Sequence, residues 1–324
     1  MSIKFGIPIN MRILEPKYSK IAAPSLSAQT AHKDYGSIFK SRALFWGKVG
    51  FALLALYFLI KSIQAATLLE VLKTAKWNYL ALAIFLVIPN IGIQVFKWHY
   101  LLKLANPATS FSNSFKSLLV GYPLGIFTPG RLGEIGRAFF VQEIHQIKTL
   151  KLVIIDKITN LFITFLFGLV GILFLTQNHY RLILQTALLI YTGTLLCPIL
   201  FPSINKLIFR RFTEINIFGR KEYIILLCFS TLFYSIFLGQ FLNLILSFQV
   251  VNPITASGAA ASVFLVKTIL PISIGDLGIR EGASVFIFDK IGLAAAQAFN
   301  ASILLFLINI GIPTLIGLWI LLKK

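Results

Sequence analysis

The chain has 324 residues, of which 57% are hydrophobic and 13% charged, and a formal net charge of +19. Soluble domains average about 25% charged residues, so the surface of this chain must face lipid. Its basic residues are spread over short segments between apolar runs, with no stacking platform or recognition module around them; nucleic acid is thereby excluded as a partner, and the charge reads as membrane topology and attraction to anionic lipid.

Taken in chain order, residues 1–42 are polar and basic, with Lys4, Arg12, Lys17, Lys20, Lys33, Lys40 and Arg42 against Glu15 and Asp34. No apolar core follows an early basic stretch, so the segment reads as a flexible cytoplasmic tail and not a secretory signal, an organelle transit peptide being the alternative. The remainder, 43–324, forms the membrane domain. A span needs about 20 mostly apolar residues, and runs that qualify cover 43–60, 79–96, 158–176, 182–201, 223–247 and 298–322. Pro89-Asn90 predicts a kink in the second.

Two further apolar regions, about 112–140 and 254–290, are too interrupted to cross cleanly. The first is broken by Gly121, Pro123, Gly125, Pro129 and Gly130; the second carries the small-residue run Ser257 to Ser262 and is broken at Pro271. Both read as re-entrant or discontinuous helices, which a membrane tolerates only where protein or a wet cavity satisfies the freed backbone groups. The expected fold is therefore an all-α polytopic membrane protein with about six full spans plus two re-entrant or broken helical regions.

Counting Lys and Arg in the connections orients the chain with its N-terminus inside. Lys97, Lys103, Lys116, Lys148, Lys151, Lys157, Lys206, Arg210, Arg211, Arg220 and Lys221 then fall on the inner side, while Lys61, Lys73 and Lys76 fall outside and are the weak point. The first broken region is approached from inside and the second from outside.

The two broken regions end in matching words. Pro129-Gly-Arg131-Leu-Gly133-Glu134-Ile-Gly136-Arg137 stands beside Pro271-Ile-Ser-Ile-Gly275-Asp276-Leu-Gly278-Ile-Arg280. With the opposite approaches, this is the pattern of an inverted repeat. Each copy can start a half-helix, with Pro pre-set for the first turn and glycines that allow close contact. Ser273 and Asp276 have capping-box spacing. Glu134 with Arg137, and Asp276 with Arg280, lie three and four residues apart, so each acid shares a helix face with its Arg.

Two readings of these charges stand side by side. In one, an ion pair neutralises two costly charges and holds the broken helix in shape. In the other, the Arg engages a lipid phosphate, which its planar fork matches, and the acid holds that Arg when no lipid is bound. Asp156-Lys157 sits at the edge of a span, and Lys267 lies inside an apolar stretch, either snorkelling to the surface or lining the site. His32, His99, His145 and His179 are isolated, and Cys197 with Cys228 lack metal-ligand spacing, so neither a metal nor another cofactor is expected.

At these motifs the sequence resembles the lysylphosphatidylglycerol synthase transmembrane-region family, also called flippase-like proteins. The resemblance rests on Thr128 to Arg137, the Asp156-Lys157 pair, and Pro271 to Glu281 followed by Gly282, in the order of spans over about 43–322. It implies a lipid-translocation module in a bacterial-type plasma membrane, with Arg131, Glu134, Arg137, Asp156, Lys157, Lys267, Asp276, Arg280 and Glu281 as candidate lipid-binding residues around a central polar cavity. Because the chain ends at Lys324 directly after the last span, with no soluble synthase domain, transport without enzymatic activity is expected. The implied cargo is a phospholipid or a polyprenyl-linked glycolipid, with a lipid-synthesising enzyme as a possible partner. The alternatives are an intramembrane lipid-modifying enzyme and a non-transporting partner of a glycosyltransferase.

Overall fold

The computed structural model describes residues 73, 75–126, 128, 130–176, 178–201, 219–270 and 278–323, which are helical apart from short connections. The basic tail, the first expected span 43–60, and the stretch 271–277 with Asp276 lie outside the described residues. Five stretches among them are long and apolar enough to cross a membrane: Trp77–Ala105, Gln146–Leu175, Tyr180–Leu200, Arg220–Phe248 and Ala295–Lys323. These correspond to the five remaining spans expected from sequence.

The first of these is two helices, α1 (Trp77–Phe85) and α2 (Val87–Ala105), parted at Leu86. Pro89 explains the break: it has no N–H, and its ring crowds the carbonyl four residues back, that of Phe85. Helix α2 then continues past the expected boundary at 96, and buried Val95, Trp98, Leu101 and Leu102 anchor its second half. Lys97 is consequently a mid-helix residue, buried to 2% exposure, and not part of a basic connection as the charge count placed it.

Helix α3 (Phe111–Ile126) contains Pro123 and leads into the first break. After the break comes a 3-10 helix, Leu132–Phe140, where an α-helical half was expected. Arg131 and Gly130 both hold positive φ, 57° each. The Thr128 hydroxyl closes the turn by accepting the Gly133 N–H at 2.6 Å.

Helix α4 (Gln146–Leu175) has 30 residues and is about 45 Å long at 1.5 Å per residue. The hydrocarbon core is about 30 Å, so the polar first third of α4 extends beyond it. Asp156 and Lys157 thus lie well inside this helix, at the edge of the part that crosses the hydrocarbon core. Helices α5 (Asn178–Leu200) and α6 (Arg220–Phe248) follow.

The second broken region comprises α7 (Pro253–Ile269) and α8 (Ile279–Asp289). Asn252 caps α7 by accepting the N–H groups of Ile254 and Thr255, and Pro253 takes the first helical position, where its missing donor costs nothing. The small-residue run proves to be a packing surface: a Cβ at Gly171 of α4 would lie 2.3 Å from the Gly258 carbonyl oxygen of α7. Ala256, Gly258, Ala259, Ala260, Ala261 and Ser262 are all buried, which puts α7 deep inside the bundle. The last span joins α9 (Ala295–Phe306) to α10 (Ile312–Lys323) through a π-helical turn, Leu307–Gly311. Pro313 stands just after that turn and denies Asn309 its i+4 donor, so the hydrogen-bond ladder is displaced there.

Candidate functional site

Five of the candidate residues meet where the 3-10 helix packs on α4. Side chains three apart eclipse in a 3-10 helix, so Arg131, Glu134 and Arg137 stack along one side. That side lies over Gly121 and Gly125, one turn apart on α3. A Cβ at Gly125 would come within 2.8 Å of the Glu134 Cγ, and one at Gly121 would touch Arg137 at 3.4 Å. The glycines of the first broken helix therefore make the groove in which the charged side chains run.

The pairing differs from the one expected within the motif. Glu134 accepts from Arg131 and from Lys157 of α4, while Arg137 reaches past it to donate to Asp156 Oδ2 at 2.5 Å. The Arg137 guanidinium also lies over the Trp98 ring, 4.2 Å from its centre, a cation–π contact in a desolvated place. Its Nε–H has no hydrogen-bond partner among the described residues. A buried donor left without a partner costs free energy, and a planar guanidinium with a spare N–H suits an incoming anion.

Lys97, which the sequence reading set aside as a connection residue, completes the cluster. Its Nζ contacts Asp156 Oδ1 at 2.9 Å and four more oxygens from α4 and α6. A signal for it was present: Asn90, Gln94 and Lys97 are spaced i, i+4, i+7, a polar stripe on an apolar helix. The stripe is connected. Tyr122 donates to Gln94 at 3.2 Å, Gln94 to Asn90 at 3.1 Å, and Asn90 to the Phe233 carbonyl at 3.4 Å. Arg131 lies over the Tyr122 ring at 5.0 Å, joining this polar line to the ionic cluster.

The second broken region holds a separate pair. Arg280 donates from Nε to Ser302 Oγ at 2.9 Å and pairs with Glu281, whose other oxygen accepts the Gly278 N–H at 2.6 Å. The expected partner Asp276 lies outside the described residues. Gly278 has φ +91°, a conformation that glycine adopts without a Cβ penalty. Lys267 is half-buried in the last turn of α7.

A cavity of about 660 Å³ adjoins the second ionic group and is lined by Gly278, Glu281, Gly282, Val285, Phe286, Asp289, Phe299 and Ile303, with no residue of the first broken region. Between the regions stands Phe306, whose ring lies 5.4 Å from the Arg280 guanidinium and which packs in a buried cluster with Ile126 at the end of α3 and with Ile310. Among the described residues, this cluster forms an apolar divider between the two ionic groups.

A comparison with known families matches residues 45–317 to the model described as the lysylphosphatidylglycerol synthase TM region. Among curated proteins, no match is found.

Proposed function

Since the chain belongs to the lysylphosphatidylglycerol synthase TM region family, we propose that it is a flippase that carries an anionic phospholipid or polyprenyl-phosphate glycolipid head group across the bilayer. The membrane setting and a lipid-related role come with the family; the cargo and its movement are the proposal. The observation that carries it is the buried cluster at the first break. Its described members are four cations, Lys97, Arg131, Arg137 and Lys157, against two carboxylates, Glu134 and Asp156. Such a surplus of positive charge at membrane depth suits a phosphate.

In this reading Arg137 and Arg280 take the phosphate from opposite faces, with the two broken regions approaching the midplane as an inverted repeat and the N-terminus in the cytoplasm of a bacterial-type cell. The divider at Phe306, Ile126 and Ile310 closes the path between the two sides, and rocking of one region against the other exposes each Arg in turn. The lipid is moved unaltered, and a lipid-synthesising enzyme supplies it.

The test is transfer of labelled anionic lipid in liposomes. Purified protein raises head-group exchange above that of empty liposomes, and Arg137→Ala lowers it at least tenfold, a loss of about 1.4 kcal/mol or more of the kind that one charge-assisted contact supplies. Exchange equal to empty liposomes across a panel of lipids, or unchanged in Arg137→Ala and Arg280→Ala, would sink the proposal. A new lipid species in extracts would instead identify a lipid-modifying enzyme.

A further inference from the structure

We infer that Lys97 is the resident cation of a monovalent-cation cage built by α2, α4 and α6, and that the cage accepts a free K+ or ammonium ion once the lysine side chain is removed. Five oxygens surround Nζ: Asp156 Oδ1 at 2.9 Å, the Asp156 carbonyl at 3.1 Å, Thr159 Oγ1 at 2.8 Å, Asn160 Oδ1 at 2.7 Å and Ser230 Oγ at 2.8 Å. An ammonium group has three N–H donors, so five close oxygens exceed what directed hydrogen bonds require. The arrangement is that of ligands gathered around a charge.

Two of the four residues of the cage are held by groups other than Lys97. The Thr159 hydroxyl lies 3.0 Å from both the Ile155 and Asp156 carbonyls; donating its proton there turns a lone pair toward the centre. The second carboxylate oxygen of Asp156 is held by Arg137, which fixes the first in place. Ser230 comes from α6, so the cage spans two helices besides the one that supplies the lysine.

Its dimensions and charge select the ion. Ca2+ takes oxygens at about 2.3–2.6 Å and Mg2+ at about 2.0–2.1 Å, closer than the distances here. One carboxylate oxygen and four neutral oxygens suit a single positive charge, and the distances suit an ion of ammonium size. Lys97 is 2% exposed, so the tethered cation does not exchange with solution. On the flippase reading above, this site offers no exchangeable K+ or Na+ for energy coupling, because its cation is covalently attached.

The experiment is thermal unfolding of the purified protein in KCl, NH4Cl, NaCl and choline chloride at equal ionic strength. Lys97→Ala opens the cage, Lys97→Ser opens it and adds a hydroxyl, and Lys97→Met keeps it filled without charge. Lys97→Ala or Lys97→Ser melts about 5 °C higher in K+ or ammonium than in choline, the stabilisation expected of a ligand well above its Kd; the parent and Lys97→Met show no difference among the salts. Equal melting of both opened variants in all four salts overturns the inference. So does a cation response of Lys97→Met that matches theirs, or failure to recover either opened variant folded in K+ or ammonium. Absence of any lipid transfer bears on the flippase reading alone, since the melting measurement involves no transported lipid.

Discussion

Asp156→Asn lowers the melting temperature of the purified protein by about 10 °C, the expected result of removing one carboxylate from between two buried cations. Breaking a buried ion pair by losing one partner costs about 3–5 kcal/mol, and each kcal/mol corresponds to roughly 2–4 °C for chains of 150–250 residues. The two oxygens of Asp156 are divided, one to Lys97 at 2.9 Å and one to Arg137 at 2.5 Å. An asparagine of the same shape offers one acceptor and presents an N–H to the other cation, donor against donor. Lys97 and Arg137 have side-chain exposures of 2% and 5%, so water cannot take over the lost contact.

The neighbouring pair supplies the contrast. Lys157, whose side chain is 30% exposed, pairs with Glu134, 16% exposed and also held by Arg131; losing a partner that solvent can partly replace costs about 1 kcal/mol or less. Lys157→Met therefore shifts melting by about 3 °C or less. Scanning fluorimetry of both variants decides the matter, and equal shifts would show that Asp156 does not hold the cluster together.

The spans were legible because apolar length is a direct consequence of bilayer thickness, and the breaks were legible because Pro and Gly act locally. Pro89 announced the parting at Leu86. The boundaries were less legible: α4 starts at Gln146 and α2 runs to Ala105, since buried neighbours and not hydropathy hold those ends in helix. This is why Lys97 reads from sequence as a connection residue, and why the helix that runs on before Asp156 and Lys157 is not legible there. The charges of the first motif are legible, but not their partners: spacing of three predicts Glu134 with Arg137, whereas Arg137 finds Asp156 19 residues on. In the second motif Arg280 pairs with Glu281, and the expected partner Asp276 lies outside the described residues. Partner choice is decided by which helix lies alongside, information that no local spacing carries.

The glycines of the motif make this dependence on neighbours testable. A Cβ at Gly133 would lie 1.9 Å from the Leu124 carbonyl oxygen, 2.7 Å from its carbon and 3.0 Å from Thr128 Cγ2. Two of these atoms are backbone, so no rotamer relieves the clash, and either the end of α3 or the start of the 3-10 helix must move. At Gly136, three residues on, the added Cβ meets the Leu124 Cδ1 at 2.9 Å, the far end of a side chain that can rotate away. Gly133→Ala is accordingly expected to cost about 3 kcal/mol, the upper end of ordinary overpacking, or roughly 6–12 °C in melting. Gly136→Ala is expected to cost about 1 kcal/mol or less, because a flexible neighbour absorbs the change. The larger effect reaches the site as well. The Gly133 N–H closes the turn onto the Thr128 hydroxyl, and the residue that follows is Glu134. Displacing that turn pulls Glu134 from Lys157 and tilts Arg137 away from Asp156. Lipid transfer by Gly133→Ala should fall with its stability while Gly136→Ala stays near the parent; equal melting of the two variants would mean that the break is held by something other than this backbone contact.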